Sequence, residues 1–378
     1  MIYLDSAATA MQKPDSVRQA ISFALTRMAS PGRGGHRPAM LAGQTAFRCR
    51  QEAAELFHLE NPEHVVFTSN ATHGLNIAIK TLVRPGDTVL ISGYEHNAVT
   101  RPLAAIPEVR VKVADGPLFE PEQMVDAFRR MMTPEVSTVI CTHVSNVFGY
   151  ILPVYQIAEL CRRRGKHLIL DASQSAGCLP VYQDLLEADF IAMPGHKGLY
   201  GPQGTGLLLC GSEAVEPLLE GGTGSRSLQQ EMPEFLPDRL EAGTHNVTGI
   251  AGLLEGIRYV RRRGTETILT HEQELISRAA NGLRRWPEFR VYGAGRPQWQ
   301  SGVCSFVPET MDCEALGEQL GEQGVAVRAG LHCAPLAHQT AGTLKTGTIR
   351  VSVSAFNTSR EIELFLRVTR AIWHRRKK

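Results

Sequence analysis

Lys197 stands between glycines in AMPGHKGLYGPQGTG (192–206), directly after an apolar stretch. Asp171 ends the apolar run of HLILDASQSAG (167–177), one strand and one connection earlier. A lysine that forms a Schiff base and an acid that pairs with a pyridinium nitrogen are what pyridoxal phosphate needs from a protein. The acid keeps the ring nitrogen protonated, so that the ring accepts electrons. The lysine holds the cofactor and then shuttles a proton. Taken singly, each residue has a plainer reading, a surface lysine on a hairpin and an Asx turn.

Three more polar groups follow apolar runs. FTSNATHGLN (67–76) reads as a strand, a polar turn and a helix start, with Asn70, Ala71 and Thr72 at the turn. Amides at a helix start favour an anion such as the cofactor phosphate. YEHNAV (94–99) puts His96 just past another strand, where its ring could stack on the cofactor. Asn146 in HVSNVFG (143–149) follows a third. In open α/β sheets ligands bind at the carboxyl ends of the strands. Five strand ends that all deliver polar groups make a shared site a sharper reading than any one residue does.

The elements that must position these groups alternate. Strands are expected at 64–69, 85–92, 109–114, 138–145, 167–175, 189–197 and 205–211. Helices are expected at 15–29, 39–58, 72–82, after 94–99, and at 121–132 and 154–164. Most of the strands are continuous apolar runs, the mark of a mainly parallel sheet covered on both faces. A long helix at 248–263 leads away. Beyond it come helices at 270–285, 312–323 and 358–374 and strands at 290–293, 302–307, 325–330 and 348–354, an α+β pattern. The reading is an N-terminal segment (1–14) packed near the site, a large domain (15–264) and a smaller C-terminal domain (265–378) that carries Cys333.

Composition sets the outer bounds. The chain has 378 residues, 43 % apolar and 21 % charged, with a net charge of +2. These are globular proportions, and no global field argues for nucleic acid. Basic runs such as Arg375-Arg376-Lys377-Lys378 read as a solvated tail. No apolar stretch is long enough to span a membrane. The start, MIYLDSAATA, lacks the features of a signal peptide. Eight cysteines lie scattered with no CxxC pair, which points to reduced thiols in a cytoplasm and to no metal site.

The motifs in their order resemble the cysteine desulfurase and selenocysteine lyase family, within the class V aminotransferase group of fold-type-I pyridoxal phosphate enzymes. They run from YLDSAAT (3–9) through RGGH (33–36), TSNATHGLN, YEHN, HVSNVFG, DASQSAG, GHKGLYGPQGTG, LEAGTHN (240–246) and VRAGLHCAP (327–335) to TIRVSVSAFN (348–357). The resemblance implies an α/β fold-type-I transferase with a mainly parallel seven-stranded sheet. It makes Lys197 the Schiff-base lysine and Asp171 the partner of the pyridine nitrogen. Gln174 would bond the phenolic oxygen and His96 would stack on the ring. Thr72 and His196 would bind the phosphate, with Thr244 reaching it from a partner subunit, which implies a homodimer. Asn146 and Arg350, with Arg328 nearby, would hold the substrate carboxylate, to which an Arg fork is suited.

The resemblance also gives one cysteine a chemical address. Cys333 follows His332, with Arg328 five residues before, and neighbouring cations raise the thiolate fraction. The implied reaction converts L-cysteine to L-alanine and leaves the sulfur on Cys333 as a persulfide for a protein acceptor. The alternatives are L-selenocysteine as substrate, in a selenocysteine lyase, or another class V aminotransferase reaction. The chain departs from the family pattern at two points. Pro194 stands where many members have Ser, and Ala71 where Thr is common, so Asn70, Thr72 and backbone amides are expected to hold the phosphate.

Overall fold

The computed structural model describes residues 1–31 and 34–376. Arg33 of RGGH and the last two residues of the basic tail, Lys377 and Lys378, lie outside the described residues. Seven strands form the main sheet. In spatial order they are Val65–Thr68, Gly206–Cys210, Phe190–Pro194, His167–Asp171, Val136–Thr142, Thr88–Ser92 and Arg110–Ala114. All are parallel except Gly206–Cys210, which runs antiparallel to both of its neighbours. Thr88–Ser92, Phe190–Pro194 and Gly206–Cys210 are buried along their whole length. Helices cover both faces, so these strands have no polar side and read as unbroken apolar runs. Each fully buried Leu or Ile there contributes roughly 1.5–3 kcal/mol.

A second sheet of four strands is built from the C-terminal part of the chain. Its order is Arg328–Gly330, Thr348–Ser352, Val303–Pro308 and Phe289–Tyr292, all antiparallel. It has its own apolar cluster, which includes Phe306, Ile349 and Phe365. The stretch 325–330 is not one strand. Val325–Ala326 pairs in parallel with Ile2–Tyr3 at the start of the chain, and Arg328–Gly330 pairs with Thr348–Ser352. The break at Val327 lets one short run serve two sheets. A helix at Pro335–Thr340, absent from the sequence reading, follows the Cys333 loop.

Candidate active site

The carboxyl ends of the parallel strands open on one side of the main sheet. There a cavity of about 100 Å³ is lined by Asn70, Ala71, Thr72, His96, Asn146, Asp171, Gln174, His196 and Lys197. Thr244, Arg328, Arg350 and Cys333 are not among its lining residues. Local structure explains the placement. Asn70 caps the helix Ala71–Leu82, its Oδ1 accepting from the His73 amide at 2.9 Å. That bond leaves the Asn70 Nδ2 and the first two helix amides, those of Ala71 and Thr72, as donors at the cavity. His96 caps the next helix, and its Nδ1 accepts from the Ala98 amide at 3.0 Å. The proton of the ring therefore sits on Nε2. Asp171 is 2 % exposed, and its Oδ1 accepts from Ser173 N at 2.9 Å, the bond that ends the strand.

The loop that carries Lys197 is gripped from two sides. Gly177 (φ +94°) and Gly198 lie back to back, and a Cβ on Gly177 would sit on the Gly198 carbonyl. Only glycine admits that backbone and that approach. From the other side, the N-terminal segment reaches the residue before the lysine. The His196 carbonyl accepts from Lys13 Nζ at 2.9 Å and from the Ala10 amide at 3.1 Å. His196 Nδ1 lies 3.0 Å from Thr9 Oγ1. Gln174 Nε2 donates to the Ala7 carbonyl at 3.0 Å. The sequence reading missed Lys13, whose neighbour Pro14 and distance in sequence from Lys197 gave it no signal.

Burial sets the charge states. Desolvation lowers the Lys197 ammonium to about 8, against the pull of Asp171 and with help from Arg350 and Arg328. A lysine held there is partly the free amine near neutrality, the form that adds to a carbonyl. Burial, then Lys197 and Lys13, lower His196 to about 4, so it meets a ligand as a neutral ring. Burial also lowers His96 from its ordinary value, opposed by Asp171. Arg350 is 2 % exposed. Its Nη2 donates to Asp5 Oδ1 at 2.6 Å and its Nη1 to the Asn146 carbonyl at 3.1 Å. Its Nε and the Asn146 Oδ1 are buried without a partner.

Asp5 lies within the YLDSAAT motif, but the sequence reading gave it no role; the structure pairs it with Arg350. Removing it strands a buried guanidinium, so Asp5→Ala should lower stability by about 3 kcal/mol. Urea unfolding of the variant against the unmodified chain measures this.

Cys333 is exposed, and the other seven cysteines are buried. Burial pushes the thiols of Cys49, Cys161 and Cys304 up to about 12, which leaves them inert. The Cys333 carbonyl accepts from the Asn97 amide at 2.8 Å, which fastens its loop beside His96. One expectation is corrected. His332 is not a cation beside the thiol. It is 6 % exposed, and burial, with Arg350 and His338, lowers it to about 2. Of the two cations named from sequence, Arg328 alone remains. It pairs across the sheet with Arg350, and its side chain is exposed.

Thr244 lies outside the cavity in its own chain. It is exposed in a neighbouring cleft of about 300 Å³ shared with Phe67, Ser69 and His73. Glu241 fixes this segment through two bonds to Arg50 (2.8 and 2.6 Å) and one from the Phe67 amide at 2.6 Å.

Two buried carboxyls away from any lysine or arginine partner predict a pH response. Burial raises both Glu95 and Glu272 from 4.5 to about 8. Folded, each keeps its proton up to about 8; unfolded, each loses it above the usual carboxylate range. The contribution of these two groups to stability therefore falls as pH rises from about 4.5 to about 8 and levels off above. The slope is at most about 1.4 kcal/mol per pH unit for each group. Thermal midpoints of Glu272→Gln, measured against the unmodified protein, should improve steadily from pH 5 to 8, a difference in which the buried histidines, neutral in both, cancel.

Comparison with known proteins places this geometry. The family described as Aminotransferase class-V matches residues 2–365. A "Probable cysteine desulfurase" of Xylella fastidiosa (strain 9a5c) is 35 % identical, covering 97 % of this chain and 89 % of that protein. One of Mycolicibacterium paratuberculosis is 33 % identical over 98 % of this chain, which spans 55 % of that longer relative. Among solved structures, the apo cysteine desulfurase of Thermococcus onnurineus NA1 superposes with a TM-score of 0.90 at 29 % identity. It covers 98 % of this chain and 94 % of its own. With its family matched along nearly its whole length and its mostly parallel seven-stranded sheet, the chain belongs to the class-V aminotransferase family.

Proposed function

We propose that the protein is a pyridoxal-phosphate-dependent cysteine desulfurase that takes sulfur from L-cysteine onto Cys333. The observation that carries the reading is the placement of one exposed thiol. The Cys333 backbone is fastened to the Asn97 amide, next to His96, which lines the cavity that holds Lys197 and Asp171. An aminotransferase has no use for such a thiol.

The donor set fits the cofactor. The amides of Ala71 and Thr72, with Asn70 Nδ2 and Thr72, would hold its phosphate, and the neutral His196 would add a ring N–H. No Ser is needed at Pro194 for this. The buried Asp171 carboxylate would pair with the ring nitrogen, Gln174 would reach the phenolic oxygen and His96 would cover the ring. When bound, the cofactor accepts the electron pair released at the substrate α-carbon.

The remaining work falls to the chain. Arg350, whose buried Nε donor is still unpaired, would take the substrate carboxylate, with Asn146 beside it, its backbone carbonyl accepting from Arg350 Nη1. Lys197 Nζ removes the proton from the α-carbon and later returns one. Cys333 Sγ attacks the substrate sulfur. The sulfur–carbon bond breaks, the β-carbon takes a proton, and alanine leaves with the sulfur retained as a persulfide. A protein acceptor would then relieve Cys333 of it. The exposed Thr244, beside the phosphate turn and outside its own cavity, supports a homodimer in which it serves the partner's site. No helix among the described residues is long and apolar enough to cross a membrane, which is compatible with the cytoplasm as the place of action.

The test is an assay of cofactor-loaded protein with L-cysteine and, separately, L-selenocysteine, scoring alanine with sulfide or selenide. Alanine from cysteine supports the desulfurase. Alanine from selenocysteine alone would make it a selenocysteine lyase. No alanine from either would turn the search to amino-group transfer.

A further inference from the structure

The backbone around the thiol is unusual. His332 (φ +50°) and Cys333 (φ +56°) are consecutive non-glycine residues in the left-handed region. Two such residues in a row are strained, and they persist only where the surroundings over-determine them. Those surroundings are visible. The His332 carbonyl accepts from Asn146 Nδ2 at 2.8 Å, and the next carbonyl, of Cys333, accepts from the Asn97 amide at 2.8 Å. The His332 ring is the third anchor. Its Nε2 lies 3.1 Å from both the carbonyl and the Oγ1 of Thr348, and the ring stacks on His338 at 5.7 Å between centroids. His338 is itself fixed, its Nδ1 lying 2.7 Å from Thr343 Oγ1.

We propose that His332 is a positioning residue for Cys333, its buried ring locking the left-handed turn that aims the thiol. The inference rests on the reading of Cys333 as the sulfur-accepting thiol. The ring does not act through charge, because burial holds it neutral. It acts as a peg. With Nε2 donating to Thr348, the ring ties the turn to the strand Thr348–Ser352 that carries Arg350. The thiol and the carboxylate-binding guanidinium are thereby set from one strand. Histidine suits the position twice, since it tolerates the left-handed region better than most residues and fills a buried slot with a donor.

The experiment compares the unmodified holoprotein with His332→Ala and His332→Asn. Asn also tolerates a left-handed backbone and carries a donor. Two readouts are taken: kcat and KM for alanine from L-cysteine, and hydrogen–deuterium exchange of the peptide spanning 328–336. In His332→Ala, kcat should fall about tenfold while KM holds, the shift that matches the strain of one left-handed residue. Exchange across the turn should quicken, and His332→Asn should restore much of both. Unchanged kcat and exchange in His332→Ala would overturn the proposal. So would a general loss, in which KM, cofactor absorbance and thermal midpoint all fail together and Asn rescues nothing. If the unmodified protein makes no alanine from cysteine, the functional reading fails. The exchange comparison then still decides whether His332 locks the turn.

Discussion

Lys197→Ala protein should purify without the visible absorbance of lysine-bound cofactor, and borohydride followed by mass spectrometry should find no cofactor on the chain. The unmodified protein should carry it at Lys197 alone. Alanine formation should fall by about 10⁴-fold, because one side chain both holds the cofactor and moves the α-proton. The structure supplies the reason no neighbour takes over. Lys13 is also half-buried and lowered to about 8, but its Nζ is committed to the His196 carbonyl. An undiminished visible band in the variant would remove Lys197 from the assignment. Covalent cofactor on Lys13 would move the assignment there.

The second large effect is expected at Cys333. Cys333→Ala should keep the visible absorbance and bind L-cysteine with little change. It should lose alanine formation from L-cysteine by about 10³-fold or more, the scale on which loss of a nucleophile acts. The other cysteines cannot substitute, since all seven are buried. Mass spectrometry of the unmodified protein after limited turnover should find the added sulfur on Cys333. Full activity of the variant on L-cysteine would argue for a reaction that needs no thiol. Survival of activity on L-selenocysteine alone would separate the two substrates, because selenium leaves carbon more readily than sulfur does. The correction at His332 sharpens this test. With its neighbour neutral, the thiol owes its reactivity to where it is held and not to an imidazolium beside it.

Much of the fold is local in origin. Apolar runs such as TVLIS and GLLLC become buried strands because no polar residue interrupts them, and the intervening helices carry apolar positions at helical spacing. The large sheet and its parallel character follow from that alternation. The polar groups at the strand ends were legible for the same reason. A polar residue straight after an apolar run has to sit at the edge of the sheet, and in a parallel sheet those edges share one side.

What the sequence by itself determined, then, was the strands of the main sheet, the side on which they deliver Asn70, His96, Asn146, Asp171 and Lys197, and the chemistry those residue types can do. The tertiary structure alone decided the pairings between parts of the chain far apart. Asp5 meets Arg350 from the opposite end of the chain, and Ile2–Tyr3 takes half of a stretch that reads as one strand. Lys13 holds the carbonyl before Lys197, and Gly177 lies flat on Gly198. The charge on His332 was also beyond the sequence, since a histidine between Leu331 and Cys333 gives no sign of being buried. The physical reason is common to all of these. Periodicity and turn chemistry act over a few residues, whereas burial, and the ion pairs and charge states it governs, depend on which distant surfaces the packed chain brings together.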